Sequence, residues 1–351
     1  MLRLNSLQAG RALAAMAVAA FHLSIMMGAP RYGGDAVFSA VTRFGDRGVD
    51  YFFVLSGFII LFVHRKDIGQ PAQLGNYLRK RFIRLFPIYW LYSIPMAALL
   101  LMGMGTDASL PATLPDWLTS ITLIRFTPAL PPLPTSWTLF HEVAFYATFG
   151  LLILNRRLGI AALLAAALAC VLHFQFPGTH ERTPYNVYTA AYNLYFLFGI
   201  GAYWLFRRGG PGWWELLLGL ALPALAFSDM IPPGPLASLL VAIGFSLILA
   251  GAAKLEMGGA FTVPAALVFI GDASYTIYLL HLPFEGLLLK IALKSRLYDS
   301  AGAATTYLLT FAGAVLLSCL AYRLVERPLL SRLQSTLDKW KFSLDQVAHS
   351  R

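Results

Sequence analysis

Arg11 and His22 stand eleven residues apart in a stretch that is otherwise largely apolar. Eleven steps of roughly 100° return a helix to the same face, so the two side chains would line one side of one helix, roughly 16 Å apart along its axis. Ionisable groups inside an apolar span are costly and mark a partner or a function. An imidazole titrates near neutrality, the range a general base needs, which makes His22 a candidate base; the alternative is a ring satisfied by a backbone carbonyl or a Tyr. Glu142, in Ser136-Trp137-Thr138-Leu139-Phe140-His141-Glu142, is a second candidate. A carboxylate there must be paired, protonated or facing water. It could orient a His, as the acid of a catalytic triad does, or complete a polar network between helices. His141 precedes it but points roughly 100° away, so the two do not share a role.

Arg81 and Arg84, three apart in Leu78-Arg79-Lys80-Arg81-Phe82-Ile83-Arg84-Leu85-Phe86-Pro87, share a helix face. Two guanidinium groups on one face suit bidentate capture of phosphate or carboxylate. Charge flanking the inner end of a span explains Arg79 and Lys80 well, and Arg84 less well, because Arg84 leads into an apolar run. Further along, Ser274-Tyr275-Thr276-Ile277-Tyr278-Leu279-Leu280-His281-Leu282-Pro283 makes Tyr278 and His281 neighbours on a helix surface, with Glu285 one turn on. Two ligands do not make a metal site, and a hydrogen-bonded packing network is the favoured reading over direct catalysis.

The elements that must position these groups are membrane helices. Hydropathy over a window of roughly 19 residues places spans near 9–28, 47–63, 84–104, 137–154, 158–176, 189–206, 213–228, 236–253, 273–292 and 302–323. The run 262–271 is either a short interfacial helix or the start of the ninth span. Most of the 27 Lys and Arg residues fall inside if the N-terminus is cytoplasmic, the exception being Lys290, Lys294 and Arg296. The expected fold is all-α, a polytopic membrane bundle of about ten transmembrane helices with both termini cytoplasmic. The outer loop, roughly 105–135, holds six prolines between Pro111 and Pro134 and reads as an irregular cap over the outer mouth. After Pro328, the spacing of Leu333, Leu337, Trp340 and Leu344 predicts an amphipathic helix on the inner surface. This divides the chain into a transmembrane domain over 1–328 and a cytoplasmic amphipathic tail over 329–351.

Composition agrees: 58% of the 351 residues are hydrophobic and 13% charged, against about 25% charged in soluble domains. The net charge of +10 sits between apolar spans, where it signals topology and attracts anionic lipid, so the bilayer and not nucleic acid is the expected partner. Cys170 and Cys319 lie in apolar runs and read as buried small hydrophobes without a disulfide. The first apolar run lacks a small-residue cleavage site and reads as a span, not a signal peptide.

Together these residues resemble the acyltransferase-3 family of bacterial integral membrane proteins, in particular its exopolysaccharide O-acetyltransferases. The likeness runs along nearly the whole chain: Arg11 through His22; Gly48-Val49-Asp50-Tyr51-Phe52-Phe53-Val54-Leu55-Ser56-Gly57-Phe58; Arg81 and Arg84; Ser136 through Glu142 with Phe145-Tyr146; Ser274 through Pro283; and Tyr322 through Pro328, containing Glu326. Thr138 departs from the family's second Ser. The resemblance implies transfer of an acyl group, usually acetyl, from cytoplasmic acyl-CoA to a hydroxyl of a glycan or lipid-linked sugar, at a bacterial inner membrane. Carried over, His22 would be the base and Glu142 its orienting or charge-balancing partner. Arg11, Arg81 and Arg84 would hold the CoA phosphates, and Asp50, Ser56, Tyr278 and His281 would belong to the substrate or structural network. Acetyl-CoA enters as a co-substrate, with no permanently bound cofactor and no metal. Some members carry an extra esterase-like domain; the lack of room for one here makes a partner protein that completes the transfer an open expectation. The competing reading is a transporter whose buried His, Glu and Arg line a pathway, which the lack of a visible internal repeat disfavours.

Overall fold

The computed structural model describes residues 3–103, 110–173, 182–228 and 230–335. Among the described residues there is no strand, and ten helices of 14 residues or more carry the architecture. They are α1 (Asn5–Gly28), α2 (Gly48–His64), α3 (Leu74–Leu101), α4 (Trp137–Leu154), α5 (Arg156–Leu172), α6 (Tyr192–Arg207), α7 (Trp213–Ala226), α8 (Pro235–Met257), α9 (Ser274–Lys294) and α10 (Leu297–Ala321). The stretches holding α1, α2, α3, α4, α8, α9 and α10 are long and apolar enough to cross a membrane, seven in all. The helices α5, α6 and α7 fall on expected spans but have only 17, 16 and 14 residues. At about 1.5 Å per residue they reach about 21–26 Å, short of a hydrocarbon core of about 30 Å. Among the described residues, seven stretches thus meet the length and composition of a span, against the ten expected.

One boundary differs by ten residues. Helix α3 begins at Leu74, where hydropathy placed the span from 84. The long stems of Lys and Arg let a helix continue beyond its apolar part while their heads reach water. Arg81 and Arg84 therefore ride on the same helix as the span itself, Arg84 one turn ahead of Pro87.

The Arg11 end of α1 is clamped. The carboxylate of Glu256 on α8 accepts from the backbone N–H of Asn5 at 2.7 Å and of Ser6 at 2.8 Å, a negative group on the positive end of a helix. Arg3 grips Asp272 with two hydrogen bonds of 2.9 and 2.7 Å. Asp272 ends a separate short helix, Ala265–Asp272, which lies so close to α1 that a Cβ on Gly271 would sit 2.0 Å from the carbonyl oxygen of Gln8. The run 262–271 thus belongs to no span.

Helices α2 and α6 cross backbone to backbone. A Cβ on Gly57 would fall 2.0 Å from the Phe196 carbonyl oxygen, and one on Gly199 would fall 1.9 Å from that of Val54. In lipid, where burial of apolar surface drives little association, such small-residue contacts supply packing energy directly. Around this crossing the rings of Phe145 and Phe196 stack at 4.2 Å. Gly45 plays the same part against α1: its Cβ would be 2.2 Å from the Ala17 carbonyl oxygen, so the turn leading into α2 lies against the His22 half of α1.

From Leu110 onward the Pro-rich loop is more ordered than its composition suggests. Leu114–Thr122 is a helix with a capping box between Thr113 and Asp116. Tyr89 and Trp90 of α3 donate to the carbonyls of Ser120 and Ile121 at 2.6 and 2.9 Å. Beyond it, Leu123 and Leu133 are fully buried, and the Arg125 guanidinium donates to the Ala129 and Thr127 carbonyls at 2.6 and 3.3 Å. It also lies 3.8 Å from the Phe140 ring centroid, and burial brings its pKa down to about 10.

After α10 the chain winds through a π-turn, Tyr322–Glu326, and continues as helix to residue 335. Leu329 and Leu330 pack against the core. The rest of the expected amphipathic tail lies outside the described residues.

Candidate active site

A cavity of about 330 Å³ opens among α1, α2, α3, α4 and α9. Its walls carry Arg11, Ser56, Arg81, Arg84, Glu142 and Tyr278, six of the nine residues singled out from the sequence. Four helices other than α1 must converge to bring them together, which sequence spacing alone cannot specify.

The Arg end of this cavity is electropositive. Arg11 donates from Nε to Ser274 Oγ at 3.0 Å. The Arg81 guanidinium lies 5.8 Å from the Tyr77 ring centroid and 5.6 Å from that of Tyr146. Among the described residues, none of Arg11, Arg81 and Arg84 has a carboxylate within 4.0 Å, and Arg81 Nε is buried without a partner. The carboxylate on this wall, Glu142, accepts a short hydrogen bond from Tyr146. Off the wall, Glu326 accepts from Thr276, whose hydroxyl also meets Tyr92 OH at 3.0 Å. Three guanidinium groups against partly engaged carboxylates make a surface that attracts a polyanion.

The other end is closed by rings. Phe52 and Tyr278 face each other with centroids 6.1 Å apart, and beyond Tyr278 come His281 at 6.0 Å and then His22, 5.0 Å further. His22 does not line the cavity; it stands behind this aromatic plug. Its Nδ1 is 2.9 Å from the Val18 carbonyl oxygen. His281 Nδ1 is 2.8 Å from the Tyr278 carbonyl oxygen. Carbonyls only accept, so both Nδ1 atoms carry the ring proton and both Nε2 atoms hold a lone pair. His281 Nε2 lies 3.3 Å from His22 Nδ1 and shares that N–H as a weaker acceptor. What remains is Nε2 of His22, which has no hydrogen bond among the described residues. One nitrogen meets the alternative of a carbonyl-satisfied ring; the other is a free base.

Glu142 does not meet His22. Its partner is Tyr146, and it lines the cavity together with Arg11, Arg81 and Arg84. The carboxylate whose field reaches His22 is Asp46, in the turn that Gly45 brings against α1. Asp50, 2% exposed, also lies off the cavity and pairs with Arg47 at 3.3 Å. The sequence reading missed Asp46 because it precedes the span and resembles ordinary loop charge. It also missed His64, which touches Arg81 from the end of α2. His141 is buried against Trp137 and Tyr192 and meets Asn193 at 3.1 Å, on a face apart from Glu142. Among the described residues no three His, Cys, Asp or Glu side chains group as metal ligands would.

Comparison with known proteins gives this geometry a family. A family model described as an acyltransferase domain, that of the acyltransferase-3 family, matches residues 4–323. The exopolysaccharide production protein ExoZ of Rhizobium meliloti (strain 1021) is 31% identical over 311 residues, covering 82% of this chain and 90% of that protein. The acyltransferase MdmB of Streptomyces mycarofaciens is 28% identical over 373 aligned residues, 94% of this chain and 92% of its own length. No solved structure matches significantly. The match spans every helix that lines the cavity, and the chain belongs to the acyltransferase-3 family of membrane acyltransferases.

Proposed function

We propose that this protein moves an acyl group, acetyl in the simplest case, from cytoplasmic acyl-CoA to a hydroxyl of an exported or cell-surface polysaccharide or its lipid-linked precursor, at a bacterial inner membrane. The observation that carries the reading is the cavity itself: among the described residues, three guanidinium groups without a carboxylate within 4.0 Å stand at one end, and a histidine with a free Nε2 stands behind the rings at the other. With the N-terminus cytoplasmic, Arg11, Arg81 and Arg84 face the compartment that holds acyl-CoA and engage its phosphates. The roughly 16 Å from Arg11 to His22 along α1 is comparable to an extended pantetheine arm, so the thioester can approach the base from inside. The name of the relative ExoZ, an exopolysaccharide production protein, supports a glycan acceptor.

In the transfer, His22 Nε2 takes the proton of the acceptor hydroxyl as its oxygen bonds to the thioester carbonyl carbon. The C–S bond then breaks, and the leaving CoA sulfur receives the proton from His22. The Val18 carbonyl fixes the tautomer that makes this exchange work, the part a carboxylate plays in a triad. Because the cavity ends at Phe52 and Tyr278, one of these rings turns aside for the thioester to reach His22.

The test is mass spectrometry of surface polysaccharide from strains with and without the gene. The expected result is an acyl increment that disappears with the gene and returns on complementation. Unchanged polysaccharide, together with solute flux through proteoliposomes in the absence of acyl-CoA, would replace this reading with the transporter.

A further inference from the structure

Arg81 is steered by a histidine. Its Nη2 donates to Nε2 of His64, the last residue of α2, at 3.0 Å, and Nδ1 of the same ring lies 2.7 Å from Asp67 Oδ2. A guanidinium can only donate, so His64 Nε2 carries the lone pair and its one ring proton sits on Nδ1, given to Asp67. The ring is 1% exposed and stands perpendicular to Tyr77 with centroids 5.0 Å apart. Tyr77 is itself fixed by a 3.0 Å hydrogen bond to the Tyr146 carbonyl, on the helix that carries Glu142. The imidazole thus has one orientation and one tautomer. It ties Asp67, 26% exposed at its side chain, to a guanidinium whose Nε is buried and unpartnered on the cavity wall.

We propose that His64 is a positioning residue for the donor: as a neutral imidazole braced by Asp67, it holds Arg81 toward the cavity and so sets the affinity for the anionic end of acyl-CoA. This rests on the reading of the cavity as the acyl-CoA site. The same geometry makes donor affinity sensitive to pH. A proton added at Nε2 would turn the acceptor into a donor aimed at Arg81 and place two cations in contact. Among the described residues, the charged and titratable groups around the ring are Asp67, Arg81, Lys80 and Tyr77, and of these only Asp67 opposes that repulsion near neutrality.

The experiment is titration of CoA onto the full-length protein in nanodiscs at pH 8 and pH 6, for wild type, Arg81→Gln, His64→Gln and His64→Asn, with steady-state kinetics alongside. Glutamine carries an amide oxygen out to where Nε2 sits and has no proton to gain, whereas asparagine reaches only as far as Nδ1. At pH 8, His64→Asn is expected to weaken CoA binding about tenfold with kcat little changed, and His64→Gln to stay within about threefold of wild type. Between pH 8 and pH 6, wild type should lose more affinity than His64→Gln; titration of the CoA phosphate is common to both and cancels. Equal weakening in the Gln and Asn variants with the same pH response as wild type would make His64 merely structural and overturn the proposal. Should the Asn variant fail to fold, the pH comparison of wild type with His64→Gln decides alone. If wild type does not bind CoA, or Arg81→Gln binds as well as wild type, the donor reading itself fails. If Arg81→Gln weakens binding and His64→Asn does not, this assignment alone falls.

Discussion

The arginines of the cavity wall offer the most quantitative test, because they differ in exposure. Arg84 is exposed at the cavity mouth, whereas Arg11 is half-buried and held by Ser274. Two unit charges about 5 Å apart interact by about 0.8 kcal/mol in water and about 3 kcal/mol at an effective dielectric of 20. Arg84 belongs near the first limit and Arg11 near the second. Replacing Arg84 by Gln should therefore cost about 1 kcal/mol in CoA binding, roughly fivefold in Kd, and Arg11→Gln about 2–3 kcal/mol, roughly 30-fold or more. Raising the salt should shrink the Arg84 effect and leave most of the Arg11 effect, since exposed charges are screened first. Isothermal titration of CoA onto nanodisc-embedded protein reads both. Acetyl-pantetheine, which has no phosphate, is the control and should bind all three proteins alike. Equal losses with the phosphate-free ligand, or an Arg84 effect larger than that of Arg11, would refute the assignment of these side chains to the donor's anionic end.

Other consequences concern the plug and the frame. Phe52→Ala removes one ring closing the cavity beneath His22, and should raise the ratio of butyryl to acetyl transfer by roughly tenfold, measured with the two acyl-CoA donors at equal protein. Gly199→Ala puts a methyl 1.9 Å from the Val54 carbonyl oxygen and forces α2 and α6 apart. A loss of about 1–3 kcal/mol, seen as a lower melting temperature by fluorescence-detected size exclusion, is expected. Arg125→Met leaves the Ala129 and Thr127 carbonyls without their donor, a cost of about 1–3 kcal/mol that thermal unfolding would register without a change in donor Kd.

What the sequence could convey follows from how local each feature is. Arg11 and His22 share one helix, so 3.6-residue periodicity was enough to align them, and a helix does carry both. Arg81 and Arg84 were placed by the same rule. Glu142 is the counter-example. Its partner on its own helix, Tyr146 four residues on, was open to the same periodicity. Its distance from His22, however, depends on how α4 lies against α1, which no spacing encodes. His64 was hidden twice: it follows an apolar run and precedes Arg65 and Lys66, so it looked like flanking charge, and Arg81 comes from a neighbouring helix. Only Asp67, three residues away, lay within local reach. The loop helix Leu114–Thr122 was legible in the Thr113-to-Asp116 spacing, but the surrounding prolines pointed to irregular chain. Where hydropathy placed α3 ten residues late, the window had treated snorkelling arginines as the end of the helix.

The proposed mechanism makes His22 Nε2 the base in a transfer from acyl-CoA. The most direct measurement is the rate at which labelled acetyl passes from acetyl-CoA into glycan in membrane vesicles containing equal amounts of wild-type or His22→Asn protein, with CoA affinity measured on the same preparations. The expected result is a fall in rate of about 10²–10⁴-fold with CoA affinity unchanged, because the substitution removes the free Nε2 and leaves the arginines in place. Transfer at the wild-type rate by the His22→Asn protein would contradict it.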